Sequence, residues 1–141
     1  MKILFATDGS KASLDALEAL LARYDWFRDP PALTLVTVHP PIPYGMASRW
    51  VGKHTVEEHY AEESAAALAS CRAALDKRGI MYTAVTRVGE PASEIVALAH
   101  AEGYDCIAMG VHGHTALATL VLGSVAQKVI ASTSTPVLLL K

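Results

Sequence analysis

Two short stretches of this chain combine residue types that could hold a ligand. One is Met109-Gly110-Val111-His112-Gly113-His114, followed eight residues on by Leu122-Gly123-Ser124-Val125. The other is Ala6-Thr7-Asp8-Gly9-Ser10-Lys11, near the beginning. Glycines let a backbone approach a ligand closely and adopt positive φ. If Gly123-Ser124 opens a helix, the free N–H groups around Ser124 and Val125 attract an anion without any charged side chain. The Ser124 hydroxyl adds a donor or, instead, caps that helix. On these grounds alone the ligand is a phosphate or a carboxylate, and a tight turn built by Gly110 and Gly113 is the alternative.

The histidines and the aspartate each have two readings. His112 and His114 could contact phosphate or ribose, with a charge that changes near neutral pH; the plainer reading is a solvated loop. Asp8 could steady Mg²⁺ or bond a nucleotide, or serve ordinary turn chemistry before Gly9-Ser10. Other chemistry lacks its parts. There is no Gly-x4-Gly-Lys-Ser/Thr loop, no carboxylate cluster for two metals, and no residue placed as a base for an attacking water.

Strand ends have to position these residues. Ile3–Ala6 reads as a buried strand, and Leu14, Leu17, Leu21 and Tyr24 recur at helical spacing over Lys11 to Tyr24. A second strand spans Leu33–Val38, rich in β-branched residues. A long Pro- and Gly-containing loop from His39 to about His54 precedes a second helix over Thr55–Arg78, stopped at Gly79. Met81–Val88 alternates as a third strand, and Gly89-Glu90-Pro91 starts a third helix. Cys106–Met109, a helix over Leu122–Ala131 and Val137–Leu140 complete a β-α-β-α-β-α-β-α-β order. Strands apolar on both faces, alternating with amphipathic helices, predict an α/β fold with a doubly wound parallel sheet. Ligands of such sheets sit beyond the carboxyl ends of the strands, where the strand order reverses.

Bulk properties agree with one such domain over residues 1–141. About half the residues are hydrophobic (52%) and 18% are charged, which argues against disorder. A net charge of -2 offers no attraction to nucleic acid or an anionic membrane. No apolar stretch reaches the roughly 20 residues that span a bilayer, and no leader pattern follows Met1, so the expected location is the cytoplasm. Cys71 and Cys106 lie in separate apolar runs and read as buried hydrophobes. Trp26 reads as a packing residue.

The spacing Gly110-x2-Gly113-x9-Gly123-Ser124 resembles the nucleotide-binding signature of the universal stress protein family. Ile3-Leu-Phe-Ala-Thr-Asp-Gly-Ser10, Val88-Gly-Glu-Pro-Ala92, Leu122-Gly-Ser-Val-Ala126 and Pro136-Val-Leu-Leu-Leu140 are similar to the same family, so the likeness spans the chain. It implies a three-layer, Rossmann-like, five-stranded sheet in the order 3-2-1-4-5. It also implies adenine near Ala6, Thr7, Asp8 and Val38. Ribose and phosphates would then run along Met109, Gly110, His112, Gly113 and His114, and along Gly123, Ser124 and Val125. The implied ligand is ATP, or ADP or AMP, with Mg²⁺. From His114 to Leu122 there is no Lys or Arg, so backbone donors and Mg²⁺ must offset a triphosphate's charge.

The expected function is a nucleotide-binding regulatory module of the stress response that hydrolyses ATP slowly at most. The alternatives are a weak ATPase and a dimeric interaction protein with a vestigial site. The uncharged closing strand Pro136–Leu140, if it lies on the sheet edge, invites a homodimer.

Overall fold

The strand Ala32–His39 (β2) divides the core in two. Successive side chains of a strand point to opposite faces of its sheet. Leu33 and Leu35 enter one buried cluster with Phe5, Leu17, Leu68 and Leu75. Val36 enters another with Leu4, Ile95, Ile107 and Val129. Apolar residues on both faces demand cover on both, so the sheet is the middle of three layers.

The computed structural model describes residues 1–42, 53–112 and 122–141. Within them, β1 (Lys2–Ala6), β2, β3 (Tyr82–Val88), β4 (Cys106–Gly110) and β5 (Val137–Leu140) form one sheet in the order β3-β2-β1-β4-β5. Every pairing is parallel. Helices α1 (Lys11–Leu21) and α2 (Lys53–Lys77) pack on one face, and α3 (Pro91–Ala101) and α4 (Ser124–Ser132) on the other. This is the doubly wound, Rossmann-like sheet expected from the sequence.

Local chemistry sets the boundaries. Ser10 caps α1, its Oγ accepting from the Ser13 N–H at 3.1 Å. On α2, Leu68, Cys71 and Leu75 face the core at i, i+3 and i+7. Gly79, at φ 63°, ends the segment after α2 in a conformation that side chains resist. Both cysteines are free and buried.

Several expectations need correction. Helix α1 ends at Leu21, and Tyr24–Trp26 forms a separate 3₁₀ turn. That turn points Tyr24 and Phe27 inward, with ring centroids 5.9 Å apart. Trp26 is therefore turned outward, 79% exposed beneath the Arg23 guanidinium, and is not a packing residue. Strand β3 lies at the sheet edge, where most of its residues are exposed rather than covered on both faces. The last helix starts at Ser124, not Leu122, because Gly123 occupies the N-cap. Most of the long loop expected after β2, including Trp50, lies outside the described residues.

The start of α3 joins the two helices of its layer. Pro91 fills the first helical position and Glu90 is the N-cap. One Glu90 oxygen accepts from the Ser93 N–H at 2.8 Å, and the other from Lys128 Nζ on α4 at 2.9 Å. The Ser93 backbone N–H, then Lys128, hold this carboxyl down to about 2 from the ordinary 4.5. A depressed carboxyl stabilises the fold above its unfolded value and loses that contribution as pH falls through its folded one. Glu90→Gln is therefore expected to be less stable than the parent at pH 6. The gap should close between pH 5 and pH 2, as measured by urea unfolding across that range.

Candidate functional site

Strands β1 and β4 end side by side, with Ala6 in register with Met109. The strand order reverses between them, so the connections leave in different directions and open a cleft. Its volume is about 280 Å³, at the small end for ligand sites. Ala6, Thr7 and Asp8 line it from the end of β1, and Met109, Gly110 and His112 from the end of β4. Val38 closes it from β2, and Gly123, Ser124 and Val125 from the start of α4. These ten are residues the sequence marked, and they meet at one place. The other two, Gly113 and His114, lie outside the described residues.

Five further lining residues were not marked: Ser13, Val36, Pro91, Ile95 and Ala126. Val36 stands two before Val38 and so shares its face, a signal that strand period alone supplies. Pro91 and Ile95 are one turn apart on α3, and only the layer arrangement brings them here.

The polar floor is already satisfied internally. Ser13 Oγ donates to the Ser10 carbonyl at 3.0 Å, so its proton is committed. The Thr7 hydroxyl, 2.9 Å away, must then donate to Ser13 Oγ. Thr7 Oγ1 in turn accepts from the Gly9 N–H at 3.2 Å and the Cys71 thiol at 3.5 Å. Burial pushes the Cys71 thiol pKa up, so it serves as a neutral donor and not as a nucleophile. Asp8 Oδ1 accepts from the Ser10 N–H at 3.0 Å, the ordinary turn bond, while the residue stays at the cleft wall.

Two features of the opposite wall are suited to a hydrogen-bonding or anionic ligand. The N-terminus of α4 has no side-chain cap, since Gly123 is the cap residue and Ser124 already belongs to the helix. Its first N–H groups have no partner within the helix and carry the positive end of its dipole. His112 Nδ1 is buried without a hydrogen-bond partner among the described residues. An unpaired buried polar atom costs about 1–3 kcal/mol, which a ligand pairing with it recovers.

Beside the cleft, at the end of β2, three residues follow the atom order of a nucleophile, base and acid. Ser64 Oγ is 2.9 Å from His39 Nε2, and His39 Nδ1 is 3.7 Å from Glu63 Oε2. The proton inventory forbids that use. Ser64 is buried, and its hydroxyl donates to the Tyr60 carbonyl at 2.6 Å. The proton between Ser64 and His39 therefore sits on Nε2, leaving no acceptor for a serine proton. The trio fastens β2 to α2.

A model of the universal stress protein family matches residues 1–141. The chain belongs to that family. It is 33% identical to the universal stress protein MJ0531 of Methanocaldococcus jannaschii, covering 99% of this chain and 81% of that protein. The solved structure of MJ0577, also from Methanocaldococcus jannaschii, superposes with a TM-score of 0.79 at 30% identity, covering 99% of this chain and 94% of that one. A family member from Arabidopsis thaliana, solved with AMP bound, has a TM-score of 0.68 and covers all of this chain and 92% of its own. At 15% identity that likeness concerns the fold alone.

In this universal stress protein one backbone contact sets the near wall of the cleft. Gly9 has φ 78°, and a Cβ there would lie 2.7 Å from the Ala67 Cα on α2. The loop carrying Asp8 thus rests directly on a helix backbone. Gly9→Ala is expected to cost at least about 2 kcal/mol, from the left-handed conformation and the clash together. Urea unfolding measures it, and an effect under half that size would contradict the packing.

Proposed function

We propose that this universal stress protein binds an adenine nucleotide in the cleft and acts as a small regulatory module of the stress response, hydrolysing ATP slowly at most. The observation that carries this reading is the meeting of an apolar slot with an uncapped helix start. Val36, Val38, Ile95 and Met109 offer the slot in which a flat base excludes water. At its other end stand the first N–H groups of α4, the Ser124 hydroxyl and the unpaired His112 Nδ1, suited to ribose and phosphate. Gly113 and His114 extend this wall in the same reading. Asp8 is the residue to steady Mg²⁺ when the ligand is ATP. The AMP bound to the Arabidopsis thaliana relative supports the ligand class.

The proton inventory supports binding over turnover. The hydroxyls of Thr7 and Ser13 are committed to each other and to Ser10. Neither is placed to activate a water. ATP, ADP or AMP at one hundred times its Kd, with Mg²⁺, is expected to stabilise the protein by about 2.7 kcal/mol in a thermal-shift titration. Gly113→Val and Gly123→Val should each lose most of that shift. No shift with the parent protein would overturn the reading. Multiple-turnover phosphate release well above a Gly123→Val background would replace it with the ATPase one.

The protein is also proposed to form a homodimer in the cytoplasm through β5. That strand has a neighbour on one side only among the described residues. The carbonyls of Pro136 and Leu140 accept from Ile107 and Val111, so even-numbered residues of β5 turn toward β4. The alternate backbone groups, on Val137 and Leu139, then face outward and can pair with a second copy. Leu138 and Ile130, 37% and 44% exposed, give that face apolar side chains. Sedimentation is expected to show a dimer at micromolar concentration. Leu139→Pro, which deletes an outward N–H, and Leu138→Lys should both give monomers that still bind nucleotide. A monomeric parent protein would count against this interface.

A further inference from the structure

The direction of the protons at the floor of the cleft decides what a bound ligand meets there. Thr7 and Ser13 both line the cleft, and both are buried. A hydroxyl has one proton to give and two lone pairs with which to accept. Thr7 gives its proton to Ser13 and accepts from the Gly9 N–H and the Cys71 thiol, so its capacity is full. Ser13 gives its proton to the Ser10 carbonyl and accepts from Thr7. Neither hydroxyl bonds anything else among the described residues. The pair therefore leaves one lone pair open, on Ser13 Oγ, and no proton.

Reversing this chain is unfavourable. For Thr7 to donate to a ligand, Ser13 has to donate to Thr7. The Gly9 N–H, the Cys71 thiol and the Ser13 hydroxyl then compete for the two lone pairs of Thr7, and one of them loses its partner. A ligand carbonyl against this floor faces lone pairs like its own, whereas an N–H or O–H completes Ser13. A site with a buried hydrogen-bonding group discriminates against the analogue that cannot pair with it.

We infer that Ser13 sets the specificity of the cleft floor: it accepts a hydrogen bond from an N–H or O–H of the ligand and disfavours a replacement without that proton. This rests on the adenine-nucleotide reading above, in which the donor is the exocyclic amine of the base or a ribose hydroxyl. Ser13 lies in the first turn of α1, outside the glycine-marked stretch between β4 and α4.

Calorimetric titration of the full chain with AMP, IMP and the 2′-fluoro and 3′-fluoro analogues of AMP tests it. IMP replaces the amine by a carbonyl, and each fluorine replaces a ribose hydroxyl by a group without a proton. One of the three analogues is expected to bind at least about fivefold more weakly than AMP, and its identity names the donor. Ser13→Ala should shrink that gap to less than twofold, since the Thr7 proton is then free to turn to the ligand. Thr7→Val removes a hydroxyl from the same floor but leaves the Ser13 acceptor, so the gap should stay within twofold of its parent value. The two variants separate a lost acceptor from a loosened floor, and the Thr7→Val arm stands alone if Ser13→Ala does not fold. Three outcomes would each overturn the inference while leaving nucleotide binding intact. They are analogues that all bind within fivefold of AMP, a gap that stays above twofold in Ser13→Ala, and a gap that changes more than twofold in Thr7→Val. Failure of AMP itself to bind the parent protein would remove the nucleotide reading.

Discussion

Burial of β1 on both of its faces is the constraint from which the rest of the molecule follows. Ile3, Leu4 and Phe5 are wholly inaccessible, and each such side chain contributes about 1.5–3 kcal/mol relative to exposure. Neighbouring positions point to opposite faces, so no single layer of helices could bury all three. Hence α1 and α2 lie on one side, and α3 and α4 on the other. Parallel strands with helical crossovers then have to be laid outward from β1 in both directions. The two directions part where β1 and β4 end, and the cleft is the space left there. Its position follows from the core rather than from any residue that lines it.

The cleft depends on α2, although no described residue of that helix is among those lining it. Gly9 rests on the Ala67 backbone, and the Cys71 thiol reaches the Thr7 hydroxyl from the same helix face. Ser64 and Glu63, one turn earlier, hold His39 at the end of β2. The connection after β1 and the end of β2, both at the carboxyl edge of the sheet, are thus referred to one helix. A buried polar network is rigid only when each member is satisfied, and the chain from Cys71 through Thr7 and Ser13 to Ser10 meets that condition. The mouth is different. Among the described residues His112 Nδ1 has no partner, which leaves the unsatisfied group at the cleft wall and not within the scaffold.

How much of this was legible in the sequence depended on whether one dimension sufficed. Strands β1, β2 and β4 could be read because two-sided burial leaves unbroken apolar runs. The core face of α2 could be read from Leu68, Cys71 and Leu75. Trp26 could not, because its direction is decided by a three-residue 3₁₀ turn and not by its hydrophobicity. Edge exposure of β3 was equally hidden, since Thr83, Thr86 and Arg87 are interspersed with apolar residues much as in a half-buried strand. At the site, residues at the strand ends announced themselves through glycine and short polar types. Pro91 and Ile95 belong to a helix that crosses back over the sheet, so nothing local distinguishes them from other members of the α3 core face. The spacing of Gly110, Gly113, Gly123 and Ser124 indicated an anion on physical grounds; adenine entered only through the resemblance.

In the nucleotide-binding reading, the described wall of the cleft is suited to holding a ligand rather than transforming it. Catalysis needs groups whose protons or charges are free to move as the transition state forms. In the cleft the Thr7 and Ser13 protons are committed in a chain that ends on the Ser10 carbonyl, and burial keeps Cys71 protonated. Glu90, adjoining Pro91 at the wall, is held as a carboxylate by Ser93 and Lys128. Besides Asp8 and His112, the described wall offers the partial charge of oriented N–H groups, which binds an anion in its ground state about as well as in a transition state. Uniform binding of that kind retains a ligand without accelerating its chemistry. In the proposed reading, a ligand in the cleft would bear on the loops that rest on α2, the output a regulatory module needs.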